Sequence, residues 1–263
     1  MHFKDKVVWI TGASSGIGKE LAIQLSQQGA TLILTSSNES LLKDVAAELN
    51  YSKVYILPYD LLNIDGLPDL VSRALTLEGT IDCVIQSAGI SQRAEASETG
   101  IAVYKKLMDL NYFAPVAITQ AILPHFKKHN KGNITVISSI AGLIGFPLRS
   151  GYSASKHAIK GYLETLQCEL YKTNITVSIV YPGRIDTNIS KNALLGDGQQ
   201  FGATDANNEV GMKVDVCAKK IISGIKSNKK TVIIGQAERL LLWLWWFVPS
   251  LYYKIAHSKG LQK

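Results

Sequence analysis

Tyr152 and Lys156 stand four positions apart in Tyr152-Ser153-Ala154-Ser155-Lys156. At the start of a helix that spacing sets both side chains on one face, one turn apart. A phenol titrates near about 10 and is a poor acid or base at neutrality unless a neighbouring cation favours its charged form. Lys156 is placed to supply that cation and so to lower the tyrosine pKa. Tyrosine-lysine pairs of this spacing also occur on ordinary solvated helix faces, so the pair alone carries little weight. Ser139 adds to it. Thirteen residues upstream of Tyr152, it lies at the end of the apolar run Ile134 to Ile137, where its hydroxyl can hold a carbonyl oxygen against the tyrosine. A phenol, an ammonium and a hydroxyl so placed suit proton transfer to or from the oxygen of a carbonyl or an alcohol. Leu143, Ile144, Phe146, Pro147 and Leu148 follow Ser139. They favour an apolar ketone, aldehyde, sterol or lipid, and core packing explains them nearly as well.

A second chemical motif lies near the start of the chain, in Thr11-Gly12-Ala13-Ser14-Ser15-Gly16-Ile17-Gly18. It joins a strand-like segment to a helical one. Glycines there permit a tight turn, close approach of backbone to a pyrophosphate and tight helix-to-strand packing, and the helix start offers unpaired N–H groups to phosphate. The same residues match the Gly-x-Ser-x-Gly elbow of a hydrolase nucleophile. An elbow serine, however, needs a sheet built before it and an acid and then a histidine after it. Here the motif follows the first strand, so the dinucleotide reading is preferred.

These residues need a scaffold, and the periodicity supplies one. Strands are expected at Val7 to Thr11, Thr31 to Thr35, Val54 to Tyr59, Ile81 to Gln86, Asn133 to Ser138, Ile175 to Tyr181 and Thr231 to Ile234. Helical patterns alternate with them at Gly18 to Gln28, Leu41 to Leu49, Leu67 to Leu77, Val103 to His125, Tyr152 to Tyr171 and Val214 to Ile225. Alternation of this kind predicts an α/β fold, a Rossmann-type doubly wound parallel sheet of about seven strands with helices on both faces. One domain over residues 1–263 is expected, with a substrate loop at 188–212 and an apolar extension at 238–263.

The glycine turn, an asparagine inside the long helix, Ser139 and Tyr-x-x-x-Lys fall in the order found in the short-chain dehydrogenase/reductase family. The chain resembles that family from Lys6 to Ile234. Its terminal segment, with Asp215-Val216-Cys217-Ala218, resembles the branch of dehydrogenase/reductase members 7 and 7B. The resemblance implies hydride transfer between a nicotinamide and a carbonyl or alcohol substrate. Ser139 would orient the substrate, Tyr152 transfer the proton, and Lys156 both tune Tyr152 and bind the nicotinamide ribose. Asn111 matches the position that kinks a helix and holds a relay water, although a purely structural asparagine fits as well. Gly12, Ser14, Ser15, Gly16, Ile17 and Gly18 would wrap the pyrophosphate. Asp60 and Leu61 would meet the adenine, and Ser87-Ala88-Gly89 the turn after the fourth strand, with serine in place of the family's asparagine. Pro182, Gly183, Ile185 and Thr187 would hold the carboxamide. A non-catalytic dinucleotide sensor or scaffold on the same fold is the alternative.

The end of the second strand bears on the choice of cofactor. A carboxylate there would bind a ribose 2′-OH and repel a 2′-phosphate. The sequence reads Ser36-Ser37-Asn38, with no acid before Glu39. NADP(H) is therefore favoured over NAD(H), although an arginine anchor at Ser37 is absent.

Composition narrows the remaining classes. A formal charge of +7 suits anionic partners, yet no segment gathers its cations into a basic stripe with interleaved aromatics, so nucleic acid is not expected. Cys83, Cys168 and Cys217 form no metal-ligand pattern, and with no secretory segment at the start they suit a reducing, cytoplasmic setting. The run Leu240 to Val248 is too short to span a bilayer before Pro249 breaks it. It suits packing against the domain's own core, a cover over the substrate pocket, a subunit contact, or a peripheral membrane anchor through 240–253 flanked by Arg239, Lys254, Lys259 and Lys263. A homodimer or homotetramer is the expected assembly.

Overall fold

The computed structural model of the chain describes residues 2–50, 52–203, 211–235 and 237–260. Seven parallel strands form one sheet: β1 Val7–Thr11, β2 Thr31–Thr35, β3 Val54–Ile56, β4 Cys83–Gln86, β5 Gly132–Ile137, β6 Ile175–Pro182 and β7 Thr231–Ile234. Their order is β3-β2-β1-β4-β5-β6-β7. The chain thus builds outward from β1 on one side, then returns to place β4 on the other. The carboxyl ends of β1 and β4 therefore diverge at a switch point, where open α/β sheets bind ligands.

The strands read as continuous apolar runs because both faces are covered. Trp9, Ile33 and Val84 point to one core, together with side chains of α3 (Leu67–Glu78), α5 (Ala114–His129) and α6 (Ser150–Glu169). Val8, Ile10, Leu32 and Leu34 point to the other, shared with α1 (Gly16–Ser26), α2 (Glu39–Glu48) and α7 (Val214–Lys226). The helix α4 (Ile101–Met108) runs into α5 through a π-helical turn at Asp109–Phe113.

Several boundaries shift by one or two residues from the sequence reading, and two differ by more. β3 ends at Ile56 rather than Tyr59, although the Leu57 and Tyr59 N–H groups still donate to the Leu34 and Ser36 carbonyls at 2.9 and 3.0 Å. The expected single helix Val103 to His125 is interrupted at Asp109–Phe113. There Pro115 has no N–H to give to the Asn111 carbonyl, and π bulges inside helices often sit at functional sites.

Beyond β7 the chain forms a helical hairpin, α8 (Ala237–Phe247) and α9 (Pro249–Gly260). Leu244 and Tyr252 are buried in the core shared with α5 and α6, and the Tyr252 hydroxyl donates to the Gly145 carbonyl. The segment thus lies against the loop that follows Ser139. Of the expected loop at 188–212, residues 204–210 lie outside the described residues. The rest is tied down by Leu194, which bridges to Gln92 and Gln200. No described helix is long and apolar enough to cross a membrane.

Candidate active site

The carboxyl ends of the strands open into a cavity of about 670 Å³. One end is the glycine turn. Gly12 adopts φ +68, and a side chain there would come within 2.6 Å of the Ala88 nitrogen, so only glycine lets β1 and β4 approach this closely. Gly18 does not line the cavity. It packs on Gly12, where an added carbon would meet the Gly12 carbonyl oxygen at 2.1 Å. Ser15 precedes α1 without a capping hydrogen bond from its side chain, and no acidic residue stands in the first turn. The helix start is therefore left positive and open toward the cavity.

Ser14, Ser15, Gly16 and Ile17 line this end, with Ser36, Ser37, Asp60 and Leu61 beside it. Ser87, Ala88, Gly89, Pro182, Gly183, Ile185 and Thr187 continue the wall. Asn38 does not join them. It caps α2, its Oδ1 accepting from the Leu41 N–H at 3.0 Å, because an asparagine just before a helix satisfies an orphan donor there. The cavity's volume of about 670 Å³, the glycine that keeps its wall close and the uncapped helix start together fit a pyrophosphate-bridged dinucleotide.

Ser139, Tyr152 and Lys156 meet at the opposite end of the same cavity. Tyr152 is 8% exposed and Lys156 is 4% exposed. The two are held by a network crossing three elements. Ser155 Oγ donates to the Tyr152 carbonyl at 2.8 Å and accepts from Asn111 Nδ2 at 3.0 Å. Asn111 Nδ2 also donates to the Ile90 carbonyl at 2.9 Å, and Asn111 Oδ1 accepts from the Ile90 N–H at 3.0 Å. Both amide protons of Asn111 are thus committed to protein, which makes its side chain a clamp between α6 and the turn after β4.

A second cavity, of about 10 Å³, lies behind the site against Thr11, Gln86, Asn111, Pro115 and Lys156. It is about the size of one water. Thr11 Oγ1 and Gln86 Oε1 are both buried without a hydrogen-bond partner.

Burial dominates the electrostatics of both groups. Burial pushes Tyr152 up from its ordinary value, opposed by a hydrogen bond with Ser139 and by the charge of Arg149. Lys156 Nζ lies 5.8 Å from the Tyr152 ring centroid and donates to the Ile137 carbonyl at 3.0 Å. Burial pushes Lys156 itself down to about 8. Desolvation thus favours the neutral form of each group.

Sequence reasoning missed three residues whose partners are far away in the chain. Gln92, fully buried, accepts from the Gly151 N–H at 2.7 Å and donates to Thr99 Oγ1 at 2.8 Å, capping the helix that carries Tyr152 from outside. Arg149 donates to Ser91 Oγ at 2.7 Å and to the Gln92 carbonyl at 2.8 Å. Glu238, from α8, accepts from the Arg184 N–H at 3.0 Å and packs against Gly183. Replacing Gln92 with alanine leaves the start of α6 without its acceptor. The Gln92→Ala variant is expected to lose about 1–3 kcal/mol of stability, read as a lower urea midpoint; an unchanged midpoint would remove Gln92 from this role.

The fold and these facing groups define a dinucleotide-dependent oxidoreductase. A short chain dehydrogenase family model matches residues 6–197, and the chain belongs to that family. Within it, dehydrogenase/reductase SDR family member 7B of Xenopus laevis is 36% identical over 271 residues, 100% of this chain and 84% of that one, which sets the chain in the 7/7B branch. Among solved structures, a short-chain dehydrogenase/reductase of Burkholderia phymatum in complex with NAD superposes with a TM-score of 0.85 at 20% identity, covering 95% of this chain and 96% of that one. A short chain dehydrogenase of Burkholderia cenocepacia in complex with NADP gives 0.80 at 22% identity, covering 100% of both.

Proposed function

We propose that the chain is a carbonyl reductase or alcohol dehydrogenase that prefers NADP(H) and acts on an apolar substrate. The observation that carries this reading is the facing of Ser139, Tyr152 and Lys156 across one cavity from an uncapped, glycine-lined helix start. Residues 1–263 act as one dinucleotide-binding unit, with 188–212 as substrate loop and the terminal hairpin as cover. A nicotinamide, when bound, supplies or accepts the hydride.

The chain's own residues do the rest. Ser139 and the Tyr152 Oη hold the substrate oxygen. Tyr152 donates its proton to that oxygen during reduction and accepts it back in oxidation. Lys156 holds the ribose hydroxyls and returns the proton. Its supply is a water in the small cavity bounded by Asn111, Thr11 and Gln86, whose two orphaned oxygens such a water would satisfy. Leu241, Leu244 and Phe146 form the apolar wall, which sets the substrate preference.

The support for NADP(H) is that Ser36 and Ser37 face the cavity with no carboxylate at the end of β2. A Ser36→Asp variant is expected to shift kcat/KM from NADPH toward NADH by about tenfold or more. Equal use of both cofactors by the unaltered chain would overturn the preference.

A further inference from the structure

The hairpin of α8 and α9 has two unlike faces. One is spent on the protein: Leu244 and Tyr252 are buried, and Leu241, Ile255 and Ala256 line the large cavity. The other is bare. Seven of the thirteen large apolar side chains exposed among the described residues fall between Leu240 and Tyr253, including Trp246 at 71% and Phe247 at 70% exposure. The other six are scattered over the molecule and need no partner, whereas a contiguous apolar patch does.

From this we infer that the α8–α9 hairpin docks on the surface of an anionic phospholipid bilayer, with Trp243, Trp246, Phe247 and Tyr253 entering the headgroup boundary. The composition of the patch fits that occupant. Tryptophan and tyrosine prefer the interface of a bilayer, where one end of the ring is wet and the other apolar. No acidic residue occurs from Arg239 to Ser258, while Lys254 and His257 are exposed on α9. That charge complements anionic headgroups and adds to a chain of formal charge +7. An isologous contact with a second copy would instead set two lysine-bearing faces against each other with no carboxylate between Arg239 and Ser258 to answer them.

The patch is also continuous with the large cavity. Leu240 lines that cavity and is 59% exposed, so the lip of the cavity opens onto the face that meets lipid. An apolar substrate can then pass from the acyl layer to Tyr152 without crossing water; this last step rests on the proposed function, whereas the docking does not.

Flotation with phosphatidylcholine vesicles, with and without phosphatidylserine, tests the docking on the full chain. The protein is expected to float with the anionic vesicles. Its tryptophan emission should shift to the blue, since three of its four tryptophans lie in the hairpin. A Trp246→Glu, Phe247→Glu double variant should bind about tenfold or more weakly, with unchanged circular dichroism and unchanged turnover of a water-soluble aldehyde. Its KM for a long-chain aldehyde presented in the vesicles should rise.

Failure of the unaltered chain to float with either vesicle overturns the docking. So does flotation of the double variant equal to that of the parent, or a fall from dimer to monomer in the variant of a chain that ignores vesicles. Should the variant not fold, quenching of the unaltered chain's tryptophans by brominated lipid decides between insertion and its absence. If no aldehyde turns over while the chain still floats, the proposed function fails and the docking stands.

Discussion

Tyr152→Phe should lower turnover about 10²–10⁴-fold, the usual contribution of a positioned proton donor, while leaving dinucleotide affinity nearly unchanged. The substitution removes one oxygen from a side chain that is 8% exposed and whose ring packs with Val103, Leu107 and Leu194. The ring and the backbone of α6 keep their places, because the anchors of that helix start are Gln92 and Ser155 rather than the phenol oxygen. What is lost is the proton held against the substrate oxygen. The loss should fall on kcat more than on the Kd for cofactor, as stopped-flow turnover and direct dinucleotide titration would show. Equal losses in both would mean that the hydroxyl binds rather than reacts.

Lys156→Met should inactivate the protein and stabilise it. Lys156 has an ordinary value of 10.5 and is pushed down to about 8 by burial. A basic group with a depressed folded-state value opposes folding wherever it is charged. The unfolded chain binds the extra proton between these two values, so the stability of the unaltered protein should rise with pH across that window and level off below about 8. Near neutrality the buried ammonium costs about 3 kcal/mol by this linkage. Loss of its hydrogen bond to the Ile137 carbonyl takes back about 1–2 kcal/mol. Methionine should therefore gain about 1–2 kcal/mol near neutrality and lose the pH slope above it. Urea unfolding across this range checks both parts; a variant less stable than its parent at every pH would show that the ammonium is well solvated by its surroundings.

Much of the fold was legible because its cues are local. Apolar runs marked all seven strands, and β1, β2 and β7 fall on the expected residues. The glycine turn and Tyr-x-x-x-Lys likewise carry their geometry within a few residues. What escaped depends on partners distant in the chain. Gln92 caps a helix start 59 residues on, Arg149 reaches back 58 to Ser91, and Glu238 serves a loop 54 residues before it; nothing in their neighbourhoods announces these roles. Asn38 misled because a polar residue after β2 serves as cofactor ligand or helix cap alike, and α2 takes it. The burial of Tyr152 and Lys156 was not legible either, because a four-residue spacing says nothing of desolvation, which raises the one and lowers the other.

Deuterium transfer from 4-deuterated NADPH to a panel of apolar ketones and aldehydes tests the central claim most directly, measured in the unaltered chain and in Tyr152→Phe. The account predicts label on the alcohol carbon from the unaltered chain and almost none from the variant, with both proteins binding NADPH stoichiometrically. Label appearing at the same rate from both would contradict it, as would stoichiometric NADPH binding with no transfer to any carbonyl.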